Sequence, residues 1–345
     1  TGDGDCGEQF SVDFDALVIA TGMEPTPPPS DLCRGENGGG CRILPFYRLG
    51  DCYELRRELK LLDLKYGGER ENRVDVAVVG AGYSGVELAA NLSETLRKIG
   101  RKRNPSEQQR EVGISLIHRG DTILPAATDF NRENASSALK EAGVTVVTGA
   151  SVKSVRDVGE KSALVAVTRD GREAEYHADL ILWTAGARPA GAVLDSPGLP
   201  KDGRGRIITG STLRMRGNAA GGGAAVFAIG DAGRSAQDAP PSNAQGAIQQ
   251  AGIAAWNVLV ALDAGGRTKP VLKPLKYRYM DLGEMLTLGG SDATVNSLGG
   301  LVRLDGAAAS IFRRLVYNVR MPTTGQTVRA SVSATASKLG NKKRG

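Results

Sequence analysis

VDVAVVGAGYSGVE, residues 74–87, compresses a strand, a glycine turn and the start of a helix into one run. Five of the six residues from Val74 to Val79 are apolar, the pattern of a buried parallel strand. The run continues as ELAANLSETLRK, which has helical character. Strand, Gly80-x-Gly82-x-x-Gly85 and helix in that order form a dinucleotide fingerprint. Gly80 permits the tight turn, Gly82 lets the backbone approach a pyrophosphate, and Gly85 lets the helix sit close to the strand. Tyr83 and Ser84 occupy the variable positions at the helix start, where free N–H groups face the phosphates. The competing reading is a glycine-rich strand–helix turn with no ligand.

Outward from this unit the chain alternates strands and helices. Residues 10–22 (FSVDFDALVIATG) read as a strand ending in Ala-Thr-Gly, and a charged helix is expected over 51–66. Val112–Ile117 is the second strand of the fingerprint unit, reached through a polar, basic insertion at 97–111. A helix over 129–142 and a strand at Val144–Thr148 follow. Residues 151–157, 163–168 and 173–177 fit an antiparallel meander turning at Asp170-Gly171. Asp179–Thr184 is a further strand closing in Ala185-Gly186. Val226–Ile229 is a buried strand leading into Gly230-Asp231, and 242–262 form a helix with small residues on one face. Short strands surround GEMLTLGG, and a basic amphipathic helix is expected near 307–320.

With 345 residues there is room for about two domains. The 41% hydrophobic and 24% charged content marks a globular chain. Part of the glycine excess sits in two patches, GENGGG (35–40) and GNAAGGGAA (217–225), read as surface loops. Nine Lys/Arg and a single Asp fall in residues 301–345, so the net charge of +6 belongs to the tail. Such a tail suggests an anionic partner surface, lipid or nucleic acid. No aromatic-interleaved motif accompanies it, which argues against nucleic acid. Cys6, Cys33, Cys41 and Cys52 form no C-x-x-C pair. Cys33 and Cys41 flank the first glycine patch, where a bridge and two thiols are both open readings. No apolar run reaches transmembrane length and no targeting peptide is visible. His177 reads as a surface strand residue, and nothing suggests a metal site.

Four motifs recur in fixed order: DALVIATG, VVGAGYSGVE, LILWTAGARP and VFAIGDA. This order resembles the two-dinucleotide-domain flavoprotein reductases of the pyridine nucleotide-disulfide reductase type, in which an NAD(P)-binding domain is inserted within an FAD-binding domain. Ala244-Gln245-x-Ala247-x-Gln249-Gln250 looks like the AQxAxQQ helix of type II NAD(P)H:quinone oxidoreductases. TLGGSDATVNS, LVYNVRMPT and the basic tail resemble their plant and cyanobacterial branch, whose plastid members reduce prenylated quinones. The resemblance implies an α/β fold of two Rossmann-like domains plus a C-terminal amphipathic membrane-docking region. Its expected divisions are 1–50 as a remnant of the FAD domain's first half, 51–200 as the NAD(P)H domain, 201–268 as the FAD domain's second half, and 269–345 as the interface and docking region. The family's first glycine fingerprint, which holds the FAD pyrophosphate, is absent from these residues. The expectation is therefore an N-terminally truncated chain that binds FAD poorly.

The resemblance also distributes roles. Asp231, behind Gly230, would accept hydrogen bonds from flavin ribityl or ribose hydroxyls; helix capping is the alternative. Thr21-Gly22 resembles the turn against the FAD, Ala185-Gly186 the turn against the nicotinamide, and Ala244 and Gln245 the start of the flavin-side helix. Trp183 reads as strand packing ahead of that turn. Glu87 would position nicotinamide and flavin or handle a proton; its alternative is helix-dipole compensation. After the second strand the chain reads Ile117-His118-Arg119-Gly120, with no acid to receive the adenosine ribose. His118 and Arg119 there favour NADPH over NADH through its 2′-phosphate, although Gly85 stands where many NADP enzymes carry Ala. Gln249 and Gln250 would offer amides to a quinone carbonyl, or else an interhelical hydrogen bond.

On the 307–320 helix, Ala308, Ile311, Phe312, Leu315, Val316 and Val319 share one face, with Arg313, Arg314, Tyr317, Asn318 and Arg320 on the other. An apolar face with an arginine rim is the pattern of an in-plane membrane helix; packing on the chain's own body or in a homodimer is the alternative. The resemblance thus implies a peripheral membrane protein of plastids, ahead of mitochondria, with FAD and NADPH or NADH as cofactors and a membrane quinone as partner. A sulfide:quinone reductase would need cysteines near the flavin, and none follows Cys52. A flavin-free nucleotide-binding or interaction protein is the reading from a different class.

Overall fold

The computed structural model describes residues 11–33, 43–66, 73–101, 111–158, 161–191, 197–215, 224–236, 241–266, 272–290, 292–319, 323 and 325–329. Cys6, Cys41, Arg320, the first glycine patch and nearly all of the second, and most of the basic insertion and tail lie outside them. The chain forms two compact units, one from Thr1–Glu24 and Ala187–Asp281, the other from Pro25–Gly186 and Leu282–Gly345.

The first unit opens with β1 (Ala16–Ile19) and β2 (Met23–Pro25). The second is then built from β3 (Ile43–Pro45), α1 (Leu49–Tyr66), β4 (Arg73–Val79), α2 (Tyr83–Arg101), β5 (Glu111–Ile117), α3 (Asp129–Glu141), β6 (Val144–Val147), β7 (Ala150–Val158), β8 (Lys161–Thr168), β9 (Glu173–Ala178) and β10 (Leu180–Trp183). The chain returns to the first unit through β11 (Ala187–Pro189), β12 (Ile207–Thr209), β13 (Ala225–Ala228), β14 (Gly233–Ser235) and α4 (Ala244–Gly266). It ends in the second with β15 (Glu284–Thr287), β16 (Ala293–Ser297), β17 (Val302–Asp305) and α5 (Gly306–Val319).

In the second unit five strands pair in the order β3-β10-β4-β5-β6, all parallel. Residues Val74, Val76 and Val78 face a core with Leu55 and Leu59 of α1, Leu92 and Leu96 of α2, and Leu139 of α3. Ala77, Val79 and Ile181 face the other way, onto Val155, Leu164 and Ala166 of the β7-β8-β9 meander. Burial on both faces is why β4 reads from Val74 to Val79 as an apolar run interrupted only by Asp75. The C-terminal sheet β15-β16-β17 adds Leu286 and Leu288 to the helical core. In the first unit β1 pairs with β13 and β12 with β14, both parallel, β2 pairs with β11, and α4 buries Ala254 against Phe227 and Tyr277.

Three expectations change. The 10–22 strand shortens to β1, because its partner β13 offers only Ala225–Ala228; Val12 and Phe14 are exposed. Residues 43–50 join the nucleotide-type sheet, since β3 pairs with β10, so the division expected at residue 50 falls at 24 and that at 200 falls at 186. On α5 the expected apolar face is split. Ala309 and Phe312 pack on Val295 and Leu304, whereas Ile311, Leu315 and Val319 stay exposed. Arg313, placed on the polar rim by the wheel, has its Nε buried.

A charged cluster ties the meander to the sheet. Lys161 Nζ lies 2.9 Å from Asp75 and 3.2 Å from Asp179, whose side chain is fully buried. Burial pushes the Asp75 carboxyl up, but hydrogen bonds from Arg73 and Lys161 outweigh it and hold it below its ordinary value. Burial pulls the Lys161 ammonium down, and its bonds to Asp75 and Asp179 outweigh that and raise it. Stability from Asp75 is therefore lost as pH falls below about 4, and that from Lys161 as pH rises above about 10.4. Lys161→Met removes the ammonium shared by Asp75 and the buried Asp179 and is expected to cost about 2–3 kcal/mol, discounted for the partial exposure of the lysine. Urea unfolding at neutral pH checks this; Lys161→Arg should recover most of the loss.

Candidate functional site

The three glycines of the turn have different steric surroundings. Gly80 sits at φ +107°, and a Cβ there would lie 2.8 Å from Thr184 Oγ1 and 3.0 Å from the Ala185 nitrogen. At Gly85 a Cβ would lie 1.8 Å from the Gly80 carbonyl oxygen. At Gly82 it would meet nothing within 4 Å. The turn is thus closed where helix meets strand and open where a pyrophosphate would approach, at the start of α2, where the first N–H groups have no intrahelical acceptor. Tyr83 and Ser84, the first residues of α2, are exposed.

Neighbouring groups hold the turn rigid. The Thr184 hydroxyl reaches the carbonyls of Val79 at 2.9 Å and Gly80 at 3.0 Å. Ala81 N–H donates to His118 Nδ1 at 3.3 Å, and Leu124 N–H to the Ala81 carbonyl at 2.8 Å. Burial, then the nearby Arg119 charge, push the His118 pKa down, which keeps Nδ1 an acceptor. Arg119 is exposed beside it. The first acid after β5, Asp121, is paired with Arg169 at 2.8 Å. Trp183 Nε1 donates to the Ala185 carbonyl at 2.8 Å, bracing the Ala185-Gly186 turn, and Thr26 N–H donates to the Gly186 carbonyl at 3.2 Å.

Glu87 lies one turn into α2, half-buried, and its Oε1 accepts from Thr287 N–H at 2.8 Å. Burial pushes its carboxyl up; the Thr287 bond and the Arg313 charge pull it back without cancelling the rise. Glu87 therefore holds a proton closer to neutrality than a solvated carboxyl does.

In the first unit, Arg206, Gly230, Asp231, Gly246, Ala247 and Gln250 line a small polar crevice. Burial raises the half-buried Asp231 carboxyl, while Arg206 opposes the rise. Gly230 N–H donates to Gln250 Oε1 at 2.6 Å. Gln250 is buried and so supports the Gly230-Asp231 turn. Gln249 spends both ends of its amide on the Met280 backbone, at 2.7 and 3.0 Å, and Gln245 accepts from Tyr279 OH at 2.8 Å. Ala244 begins α4, behind Asn243, whose side chain accepts from Gly246 N–H at 2.8 Å. Thr21 is exposed, and the Gly22 carbonyl accepts from Ala190 N–H at 2.9 Å. These residues fit a ligand rich in hydroxyl groups, because a carboxylate accepts what hydroxyls donate.

Pyridine nucleotide-disulphide oxidoreductases match this chain over residues 1–251. The chain belongs to that family. Within it, the chain is 35% identical over 319 residues to the demethylphylloquinone reductase NdbB of Synechocystis sp., covering 91% of this chain and 68% of that one. It is 32% identical over 344 residues to the alternative NAD(P)H-ubiquinone oxidoreductase C1, chloroplastic/mitochondrial, of Arabidopsis thaliana, covering 94% and 59%. The chain thus spans about three fifths to two thirds of the length of these relatives. NDH2 of Plasmodium falciparum in complex with NADH has the same fold, with a TM-score of 0.69 at 14% identity over 95% of this chain and 78% of that one.

For a member of this family, three contributors escaped the motif reading. Thr184 sits inside the quoted LILWTAGARP, but only its hydroxyl geometry shows that it locks the glycine turn. Arg206 is buried against Asp202 at 2.8 Å and reaches Asp231 only electrostatically; the alternating DGRGR at 202–206 was its one signal. Glu284 is 201 and 156 residues away in sequence from Tyr83 and Thr128, which its carboxylate binds. His177 pairs with Glu175 at 3.2 Å on the surface. Among the described residues no His, Cys, Asp and Glu group could hold a metal.

Proposed function

We propose that this chain is a non-proton-pumping, FAD-dependent NAD(P)H:quinone oxidoreductase that takes a hydride from NADPH or NADH and passes two electrons to a prenylated quinone. The observation that carries it is the Gly80–Gly85 turn, sterically closed at Gly85 and open at Gly82. Identity to two quinone reductases supports the class. Bound flavin supplies the hydride-accepting, two-electron chemistry. The rest falls to the chain's own residues. Gly80, Gly82, Tyr83, Ser84 and Gly85 hold the nicotinamide nucleotide's pyrophosphate at the start of α2. Ala185 and Gly186 give the nicotinamide a flat backbone to rest on. Glu87, which burial inclines toward its protonated form, positions nicotinamide and flavin or handles a proton. Asp231, supported by Gln250 through Gly230, accepts from flavin hydroxyls, with Thr21, Gly22, Ala244 and Gln245 as further lining. Gln249 reaches a quinone carbonyl on release of Met280.

Arg119 selects NADPH, since Asp121 is engaged by Arg169 and no other acid follows β5 closely. Arg119→Glu is expected to raise the NADPH KM roughly tenfold or more and the NADH KM less than threefold, as a lost charge-assisted phosphate contact requires. Equal effects on both coenzymes would remove the assignment. The test of the reading as a whole is a flavin spectrum of the purified protein, then NADPH-dependent reduction of a water-soluble quinone after flavin is added. Failure of a flavin-loaded chain to oxidise either coenzyme sinks it, and failure to take up flavin at all leaves a flavin-free nucleotide-binding protein.

The exposed Ile311, Leu315 and Val319 of α5 form an apolar stripe that fits an anionic membrane surface, where a lipid-soluble quinone resides. No helix among the described residues is long and apolar enough to cross a membrane. The proposed setting is peripheral, on a plastid membrane.

A further inference from the structure

Glu284 stands at the start of β15, two hundred residues beyond the glycine turn, yet its carboxylate joins the two helix starts that flank it. Oε2 accepts from Tyr83 OH at 2.5 Å. Oε1 accepts from Thr128 N–H at 2.6 Å and from Thr128 Oγ1 at 2.5 Å. Tyr83 is the first residue of α2, next to the open Gly82. Thr128 is the N-cap of α3; its hydroxyl makes no capping bond to the helix, and instead donates to Glu284 and accepts from Asn296 Nδ2 at 2.9 Å. A carboxylate set at two helix N-termini is favoured by both dipoles. The loop between the two anchors also touches the turn, through Leu124 N–H to the Ala81 carbonyl at 2.8 Å. The strand then continues along α2, with Thr287 N–H on Glu87 at 2.8 Å and Gly290 N–H on Glu94 at 2.5 Å.

We infer that Glu284 is a positioning residue for nicotinamide nucleotide binding, pinning Tyr83 and Thr128 so that the phosphate-binding start of α2 is pre-formed. This rests on reading the Gly80–Gly85 turn as the nucleotide site. Binding is weakened when flexible groups must be ordered in the same step. With the carboxylate removed, Tyr83 OH and the Thr128 N-cap lose the acceptor they share beside Gly82, and re-forming that arrangement falls on the nucleotide.

The test uses the purified full chain with NADPH itself, measured by calorimetry and by steady-state kinetics with a water-soluble quinone. Glu284→Ala is expected to raise the NADPH Kd and KM about tenfold and leave the quinone KM within twofold. Glu284→Gln keeps an oxygen for Thr128 and a polar group for Tyr83, and should restore affinity to within threefold of the parent. Tyr83→Phe should reproduce part of the loss, and adding it to Glu284→Ala should cost little more. A parent chain that binds no NADPH refutes the nucleotide reading and this inference with it. A parent that binds, with Glu284→Ala unchanged in affinity, refutes this inference alone. So does tighter binding in Glu284→Gln, which would mark the carboxylate as a repulsive neighbour of the phosphates. A fall in melting temperature with Kd and KM unmoved would assign Glu284 to structure only.

Discussion

Gly85→Ala is expected to destabilise the chain by more than about 4 kcal/mol, whereas Gly82→Ala leaves stability within about 0.5 kcal/mol and weakens NADPH binding roughly a hundredfold. The two glycines are three residues apart in one motif, so the contrast isolates geometry from composition. At Gly85 the new methyl meets backbone, the Gly80 carbonyl at 1.8 Å, and cannot be relieved by a side-chain rotation. Either α2 moves off β4 or the turn opens, and both break the core of Val76, Val78, Val86 and Leu92. Overpacking of a close-packed interior ordinarily costs 1–3 kcal/mol, and a contact with fixed backbone exceeds that. At Gly82 the methyl projects into empty space, so the fold does not register it. A pyrophosphate drawn to the helix start does, because the added carbon stands where its oxygens come close. Thermal unfolding and NADPH calorimetry on both variants check the pair. Normal nucleotide affinity in Gly82→Ala would mean that the open face of the turn is not the binding face.

That contrast also marks how far the chain could be read before its structure was known. The β4–turn–α2 unit was legible because its constraint is local: a strand buried on both faces, three glycines at fixed spacing and a helix, all within one short run. The meander was legible for a similar reason, since β7, β8 and β9 are consecutive hairpin strands with Asp170-Gly171 at one turn. Pairings between distant segments were not. Nothing near Ile43–Pro45 marks it as an edge strand beside β10, and this moved the division between the units. The glutamines of α4 show the same limit within the site. Their spacing identified the helix, but whether an amide faces a ligand or the backbone of Met280 or Gly230 depends on chain that approaches later. The wheel of α5 failed for a related reason. Periodicity ranks residues around a helix, yet it does not say which part of a broad apolar arc the chain itself will cover.

The structure of α5 sharpens the second large expectation. Ile311→Glu combined with Leu315→Glu should weaken binding to anionic liposomes about a thousandfold. Arg313 is unsuited to this test, because its Nε is buried and its charge acts on Glu87. Ile311 and Leu315 are 53% and 57% exposed and lie one turn apart, with Val319 a further turn on at 85%. Each contributes about 1.5–3 kcal/mol if fully buried, and roughly half of that at a membrane interface. Each new carboxylate adds about 1 kcal/mol of repulsion from an anionic surface. The two substitutions together therefore remove about 4 kcal/mol, close to the thousandfold stated. Melting temperature should barely change, since neither side chain belongs to the Ala293, Val295 and Ala309 core beneath the helix. Activity with a water-soluble quinone should persist, while activity with a quinone embedded in liposomes should collapse. Raised salt should weaken binding of the parent chain without abolishing it, because screening reaches only the charged share of the attraction. Liposome co-sedimentation decides the matter. Unchanged sedimentation of the double variant would mean that protein covers the stripe, and analytical ultracentrifugation would then show whether that cover is a second copy of the chain.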